Sequence, residues 1–156
     1  WLERLRKIQN GNGGVKDKAM KNRNEKIEID NFVFASKAQV KFYVYLKRCR
    51  EKGLLKKFIV HPKYLLQSCF SKHGERFSEV NYVADFEVMW NDGKRIAYDV
   101  KIKETSEDVL KRKLFIHHFN MPLRWIAVSE KYGNENGFID WFQLKKIKKT
   151  GKGEKR

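Results

Sequence analysis

The stretch from Tyr82 to Lys103, "YVADFEVMWNDGKRIAYDVKIK", constrains this chain more than any other. Aromatic and β-branched residues fill both halves. Asn91-Asp92-Gly93 between them is a strong hairpin signal, because these residues accept the positive φ angles of a tight turn. One strand is therefore expected over 79–90 and another over 94–103. Side chains alternate along a strand, which sets Ile96, Val100 and Ile102 on one face of the second strand and Asp99 and Lys101 on the other. Asp85 lies on the hairpin partner, where the turn can bring its carboxylate beside that of Asp99. Two carboxylates converging with a lysine form a site for a hard divalent cation and a phosphate. Mg²⁺ takes oxygen ligands and keeps several waters, so Asp85, Asp99 and the Val100 carbonyl leave places for water and a phosphate oxygen.

Composition points the same way. With 156 residues, 41% hydrophobic and 13% aromatic, the chain can fill one core. Subtracting 19 acidic from 35 basic side chains leaves a net charge of +16, an excess that calls for a polyanionic partner, nucleic acid first. A basic protein without such a partner is the bland alternative. No apolar run approaches the roughly 20 residues of a membrane-spanning helix, and no signal peptide is visible in these residues. Cys49 and Cys69 lack metal spacing and are expected to be reduced, buried, small apolar residues of a cytosolic protein. His61, His73, His117 and His118 lack a zinc pattern, and the adjacent pair is expected on a helix surface.

Residues 1–26 are basic and contain "NGNGG", which reads as a flexible arm; no strand precedes these glycines and no GK[ST] follows, so they are not a phosphate loop. A strand over 26–33 leads into the helix "SKAQVKFYVYLKRCREKG", with Ser36 as N-cap, Gly53 as stop and Phe42, Tyr43, Leu46 and Cys49 as its core stripe. The strands "KKFIVHP" and "KYLLQSCF", the hairpin, a helix over 106–119, a buried strand at 124–130 and a closing strand "GFIDWFQLKKI" at 137–147 follow. The basic tail at 148–156 is expected to be disordered. The fold class is α/β, a mixed central sheet flanked by helices within a domain spanning 27–147.

Asp85 followed by Asp99-Val100-Lys101 on the next strand, after a helix that begins "FASKAQVKFY", resembles the PD-(D/E)XK nuclease superfamily. More closely, "FASKAQVKFYVYL", "VHPKYLLQ", "NYVADFEV", "YDVK" and "LKRKLF", in this order, look like the small phage-type endonucleases related to Holliday-junction resolvases. The resemblance covers about residues 30–130. It implies a restriction-endonuclease-like αβββαβ core. It further implies a Mg²⁺-dependent endodeoxyribonuclease, with Mn²⁺ able to substitute, that hydrolyses phosphodiester bonds in branched or Holliday-junction DNA. Such an enzyme is expected to be a homodimer in the cytoplasm, the host's if phage-encoded. Asp85 and Asp99 become metal ligands and Lys101 the catalytic lysine, while Ser36, Lys37, Lys111, Arg112 and Lys113 become candidate DNA contacts.

One position departs from the relatives, which usually carry glutamate on the first helix in a "SKxE" context where this chain has Gln39. Ser36-Lys37-Ala38-Gln39 also matches a capping box, in which Gln serves nearly as well as Glu. Gln39 is thus either a site residue facing the carboxylates or half of a cap. In the first case a catalytically impaired DNA-binding protein on a nuclease scaffold is the alternative function. An RNA-binding module is a third reading; it needs exposed aromatics on a sheet face, which the sequence does not reveal. Lys111, Arg112 and Lys113 can equally form a solvated helix face, with Lys113 expected nearest the site. Trp90, Trp125 and Trp141 are expected in strands as core or interface aromatics and not base-stacking platforms, and Glu87 is a spare ligand or, more commonly, a solvent-exposed or ion-paired glutamate.

Overall fold

The computed structural model describes residues 26–150; apart from Lys26, the arm expected over 1–26 lies outside the described residues, as do residues 151–156. A hairpin of β1 (Ile27–Ile29) and β2 (Phe32–Phe34) replaces the single strand expected there, because Asp30 and Asn31 take φ of 52° and 65° and turn the chain. Asp and Asn tolerate that conformation better than other residues with a Cβ. Ser36 then opens α1 (Lys37–Glu51), its hydroxyl accepting the Gln39 N–H at 3.2 Å. Gly53, at φ 68°, stops the helix as the sequence suggests.

Next come β3 (Leu55–Val60) and an arm of four short strands. These are β4 (Lys63–Gln67), β5 (Phe70–Lys72), β6 (Glu75–Phe77) and β7 (Val80–Val83). The chain returns as β8 (Phe86–Trp90), β9 (Arg95–Val100), α2 (Ser106–His118), β10 (Leu123–Val128), β11 (Phe138–Asp140) and α3 (Trp141–Thr150). Five strands form the central sheet in the order β11-β10-β9-β8-β3. β9 and β10 are parallel, joined by the crossover through α2, and all other neighbours are antiparallel. In the arm, β4 pairs with β7 and β5 with β6.

Alternation along β9 assigns the two faces. Ile96, Tyr98 and Val100 pack with Phe42, Tyr43, Leu46 and Cys49 of α1. Ala97 faces the other way, into a cluster holding Phe115 of α2, Trp125 of β10, Trp141 and Leu144 of α3 and Tyr82 of the arm. Burial of two such layers on one sheet is what holds the fold, each buried large side chain contributing on the order of 2 kcal/mol.

Several sequence expectations change. The strand read over 79–90 is broken at Ala84-Asp85, with β7 belonging to the arm and β8 to the central sheet. The strand read over 94–103 stops at Val100, and Ile102 is 66% exposed instead of sharing the Val100 face. The closing strand at 137–147 is only β11; Asp140 Oδ1 accepts the N–H groups of Phe142 (2.9 Å) and Gln143 (3.0 Å) and caps a helix. Trp141 therefore begins α3, not a strand, and residues 148–150 of the expected tail are helical. Cys49 is buried as expected, but Cys69 is exposed on the arm. Phe70 and Phe77 supply the exposed aromatics on a strand pair that the sequence did not reveal. Among the described residues no helix is long and apolar enough to cross a membrane.

Candidate active site

The hairpin turn behaves as its sequence requires. Gly93 takes φ 83°, its N–H donates to the Trp90 carbonyl at 3.0 Å, and Lys94 N–H donates to Asp92 Oδ1 at 3.0 Å. That fixes the register Phe86↔Tyr98, and one step further along it Asp85 faces Asp99. Asp85 stands just beyond the end of β8, where Val100 N–H on β9 has lost its strand neighbour. Asp85 Oδ2 accepts that N–H at 2.7 Å, replacing a ladder bond with a carboxylate. In an extended strand a residue's N–H and C=O point to the same side, so the Val100 carbonyl opens on the same flank.

Three layers meet at this point. From α1, Gln39 Nε2 donates to Asp85 Oδ1 at 2.7 Å, while Gln39 Oε1 accepts the Ala35 N–H at 2.7 Å. From the arm, the Tyr82 hydroxyl donates to Asp99 Oδ2 at 2.5 Å and itself accepts the Trp125 indole N–H at 2.8 Å. From beyond β9, Lys101 Nζ lies 3.0 Å from Asp99 Oδ2 and 3.0 Å from Asp108 Oδ1, over the Trp125 ring at 4.7 Å. Asp108 is held in turn by the capping box of α2, its Oδ2 accepting both the N–H (2.8 Å) and the hydroxyl (2.8 Å) of Thr105.

The electrostatics follow from burial and like charge. Asp85 and Asp99 are 9% and 8% exposed. Burial, then the Asp99 charge, raises the Asp85 pKa to about 7 against the pull of Val100 N–H and Lys101. For Lys101, burial alone favours the neutral amine, but Asp99 and Asp108 outweigh it and raise the pKa above its ordinary value. Burial and the Asp99 charge push the Tyr82 hydroxyl far up, so it remains a proton donor to Asp99. Protein donors engage both Asp85 oxygens and Asp99 Oδ2, and the like charge of the buried pair is one that a cation relieves.

The donor set fits a hard divalent ion. Asp85, Asp99 and the Val100 carbonyl supply oxygens only, and Mg²⁺ binds through one or two carboxylates with water and phosphate completing its shell. Among the described residues no three His, Cys, Asp or Glu side chains gather into a full protein cage. Glu87 is not part of the site: it pairs with Arg95 at 2.6 Å and accepts the Tyr64 hydroxyl at 2.5 Å.

An open cleft of ≈ 380 Å³ adjoins Asp99 and Lys101, walled by β7 on one side and by Thr105, Asp108 and Lys111 on the other. Lys111, paired with Glu107 at 2.7 Å, lines it, whereas Lys113 does not. Arg112 packs its guanidinium over Trp125 (5.3 Å) and Phe142 (4.8 Å), with its buried Nε unpartnered by any hydrogen bond. Lys37 is exposed beside the α1 start and Ser36 is committed to its cap. His117 and His118 are exposed in the last turn of α2.

Tyr82 and Asp108 are the site residues that sequence reading missed. Thr105-x-x-Asp108 is a capping-box signature and could have placed Asp108 one turn into α2, near Lys101. Tyr82 carries no such signal, since only the break after β7 turns it towards Asp99. A family model described as "Protein of unknown function (DUF1064)" matches residues 19–134. The chain belongs to the DUF1064 family. The matched span of this DUF1064 protein includes Gln39, Tyr82, Asp85, Asp99, Lys101, Asp108 and Trp125, and ends before β11 and α3. No curated protein and no solved structure matches the chain.

Proposed function

We propose that this DUF1064 protein is a metal-dependent DNA endonuclease that hydrolyses phosphodiester bonds, in branched DNA, as a cytoplasmic homodimer. The observation that carries the reading is the convergence of buried Asp85 and Asp99 beside Lys101, 3.0 Å from Asp99, at the open end of the β8–β9 hairpin. The element order α1, β3, β8, β9, α2, β10, with three antiparallel strands and then a parallel one, supports a restriction-endonuclease-like core. The net charge of +16 suits a polyphosphate.

Asp85, Asp99 and the Val100 carbonyl would hold Mg²⁺ or Mn²⁺. Such an ion would supply Lewis-acid polarisation of the phosphate and a water of lowered pKa. Lys101, kept cationic by Asp99 and Asp108, offsets the negative charge that grows on the phosphate oxygens during attack. Tyr82 and Gln39 orient the two carboxylates, one hydrogen bond each, so that neither must turn when substrate arrives. Lys111 at the cleft wall is placed to meet the backbone of the bound strand.

Gln39 favours a second reading. An amide stands where the related nucleases carry a carboxylate, which weakens cation binding and would leave a DNA-binding protein with impaired chemistry. Incubating the protein with linear, nicked and four-way DNA at graded Mg²⁺ and Mn²⁺, beside Asp99→Asn, separates the two. Metal-dependent nicks absent from Asp99→Asn support the nuclease. Binding without nicks, in wild type and variant alike, supports the second reading.

A further inference from the structure

The arm between β3 and β8 carries a feature that the proposed chemistry does not use. Phe70 and Phe77 face each other across β5 and β6, with ring centroids 4.7 Å apart and planes 16° from parallel. Both are exposed, at 43% and 40%, and every other residue of β5 and β6 is exposed too. Cross-strand aromatic pairs steady a hairpin, but Val or Thr would do so without presenting two wet rings to solvent. Lys72 and Glu75, the next pair on the same face, flank the rings, Ser71 and Arg76 take the opposite face, and His73 and Gly74 form the tip, both at positive φ.

We infer that the Phe70–Phe77 pair is a stacking platform for unpaired bases of DNA, placed to select branched substrate; this rests on the DNA reading above. Three observations name the occupant. The rings offer apolar π-faces, which any nucleobase can stack upon. The +16 charge of the chain complements a phosphate backbone. The arm is continuous with the cleft: Asn81, Tyr82 and Val83 line the cleft, and the Tyr82 hydroxyl bonds Asp99.

Geometry sets the substrate. Two stacked rings are thicker than one base step of about 3.4 Å, so the pair cannot slip into intact duplex, whereas bases already unstacked at a branch can lie on it. Phe77 precedes Tyr82 by five residues, a strand span of at most about 17 Å. Cleavage is therefore expected within about five nucleotides of the branch point.

The test compares wild type with Phe70→Ala/Phe77→Ala and Phe70→Leu/Phe77→Leu, the leucine pair preserving apolar cross-strand packing without π-faces. Affinity is read by fluorescence anisotropy on a three-way junction carrying unpaired bases at its branch and on a linear duplex of equal length. Quenching of 2-aminopurine at the branch reports stacking, and sedimentation reports self-association. Both variants should lose about tenfold to a hundredfold in junction affinity, lose the quenching, and bind duplex as wild type does. Unchanged junction affinity in either variant overturns the platform, as does equal loss on both DNAs. A variant that changes only the monomer–dimer balance makes a second copy the occupant and also overturns it; tighter capture of an RNA fork does the same in favour of RNA. Branch selectivity that depends on the phenylalanines in a protein that never cuts supports the platform while sinking the nuclease reading. Wild type that binds neither DNA overturns both.

Discussion

Gln39 joins two structures at once: its Oε1 accepts the Ala35 N–H at 2.7 Å and its Nε2 donates to Asp85 Oδ1 at 2.7 Å. The Ala35 bond fixes which end of the amide faces the site, and it fills a donor that the start of α1 leaves open. Of the capping box expected at Ser36-Lys37-Ala38-Gln39, the Ser36 hydroxyl forms its half, but the Gln39 side chain takes the Ala35 N–H instead of the Ser36 N–H.

Replacing Gln39 with Glu keeps the bond to Ala35 and turns the other end from donor to acceptor. A third carboxylate then faces Asp85 and Asp99. The metal-free protein should melt lower, by about 1–3 kcal/mol for a buried acceptor without a donor. Mg²⁺ should bind more tightly and restore the lost stability, and cleavage of a labelled junction should rise on the order of a hundredfold if the amide limits the chemistry. Metal titrations by melting temperature and by rate check both; coincident curves for Gln39→Glu and parent would refute a role for position 39.

The Asp85–Asp99 pair should govern the pH response. The folded pKa of Asp85, raised to about 7, stands above its ordinary value of 3.8, so the native state binds a proton more readily than the unfolded chain does. This contribution to stability is fully present below pH 3.8 and is lost as pH rises through about 7. Metal-free protein should therefore lose melting temperature between about pH 4 and 7, the interval between the two values, and level off above it, while Mg²⁺ affinity should rise as pH increases towards about 7. Asp99→Asn removes the repelling charge while its amide can still accept from Tyr82. Its melting curve should be flatter with pH, its metal-dependent cleavage absent, and its DNA affinity within about tenfold of wild type.

Asp108 links the α2 cap to Lys101. Asp108→Asn should cost about 1 kcal/mol or less at this half-exposed helix start. It should lower the cleavage rate while leaving DNA affinity unchanged, because Lys101 loses one of its two anchoring carboxylates. Asp108→Glu should recover part of the rate. Loss of affinity with an intact rate would assign Asp108 to the DNA surface instead.

Salt should separate backbone binding from chemistry. Each neutralised phosphate releases counterions, so log affinity should fall with log salt at a slope of about −0.9 per contact. A two-fold-related cut of a four-way junction requires paired sites, so sedimentation should show a dimer with DNA bound. A flat salt response or a strict monomer on the junction counts against paired cutting.

Local chemistry was legible without the fold. The Ser36 cap, the Gly53 stop, the Asn91-Asp92-Gly93 turn and the alternation that sets Asp99 on the face opposite Ile96 and Val100 depend on near neighbours, and each takes the form its residues suggest. Where neighbours agree with two structures, the tertiary fold decided. "GFIDWFQLKKI" is aromatic enough for a strand, yet Asp140 caps a helix once Trp141 and Leu144 can bury themselves against the α2 side of the sheet. The alternation over 79–90 continues through Asp85, but the chain leaves one strand partner for another there, because the Asp85 carboxylate satisfies Val100 N–H at the sheet's open end. Tyr82 and Gln39 meet the carboxylates and Asp108 meets Lys101, from three separate elements. Sequence spacing encodes which residues share a face, but which faces meet depends on how the buried layers pack, and only the assembled sheet and helices set that.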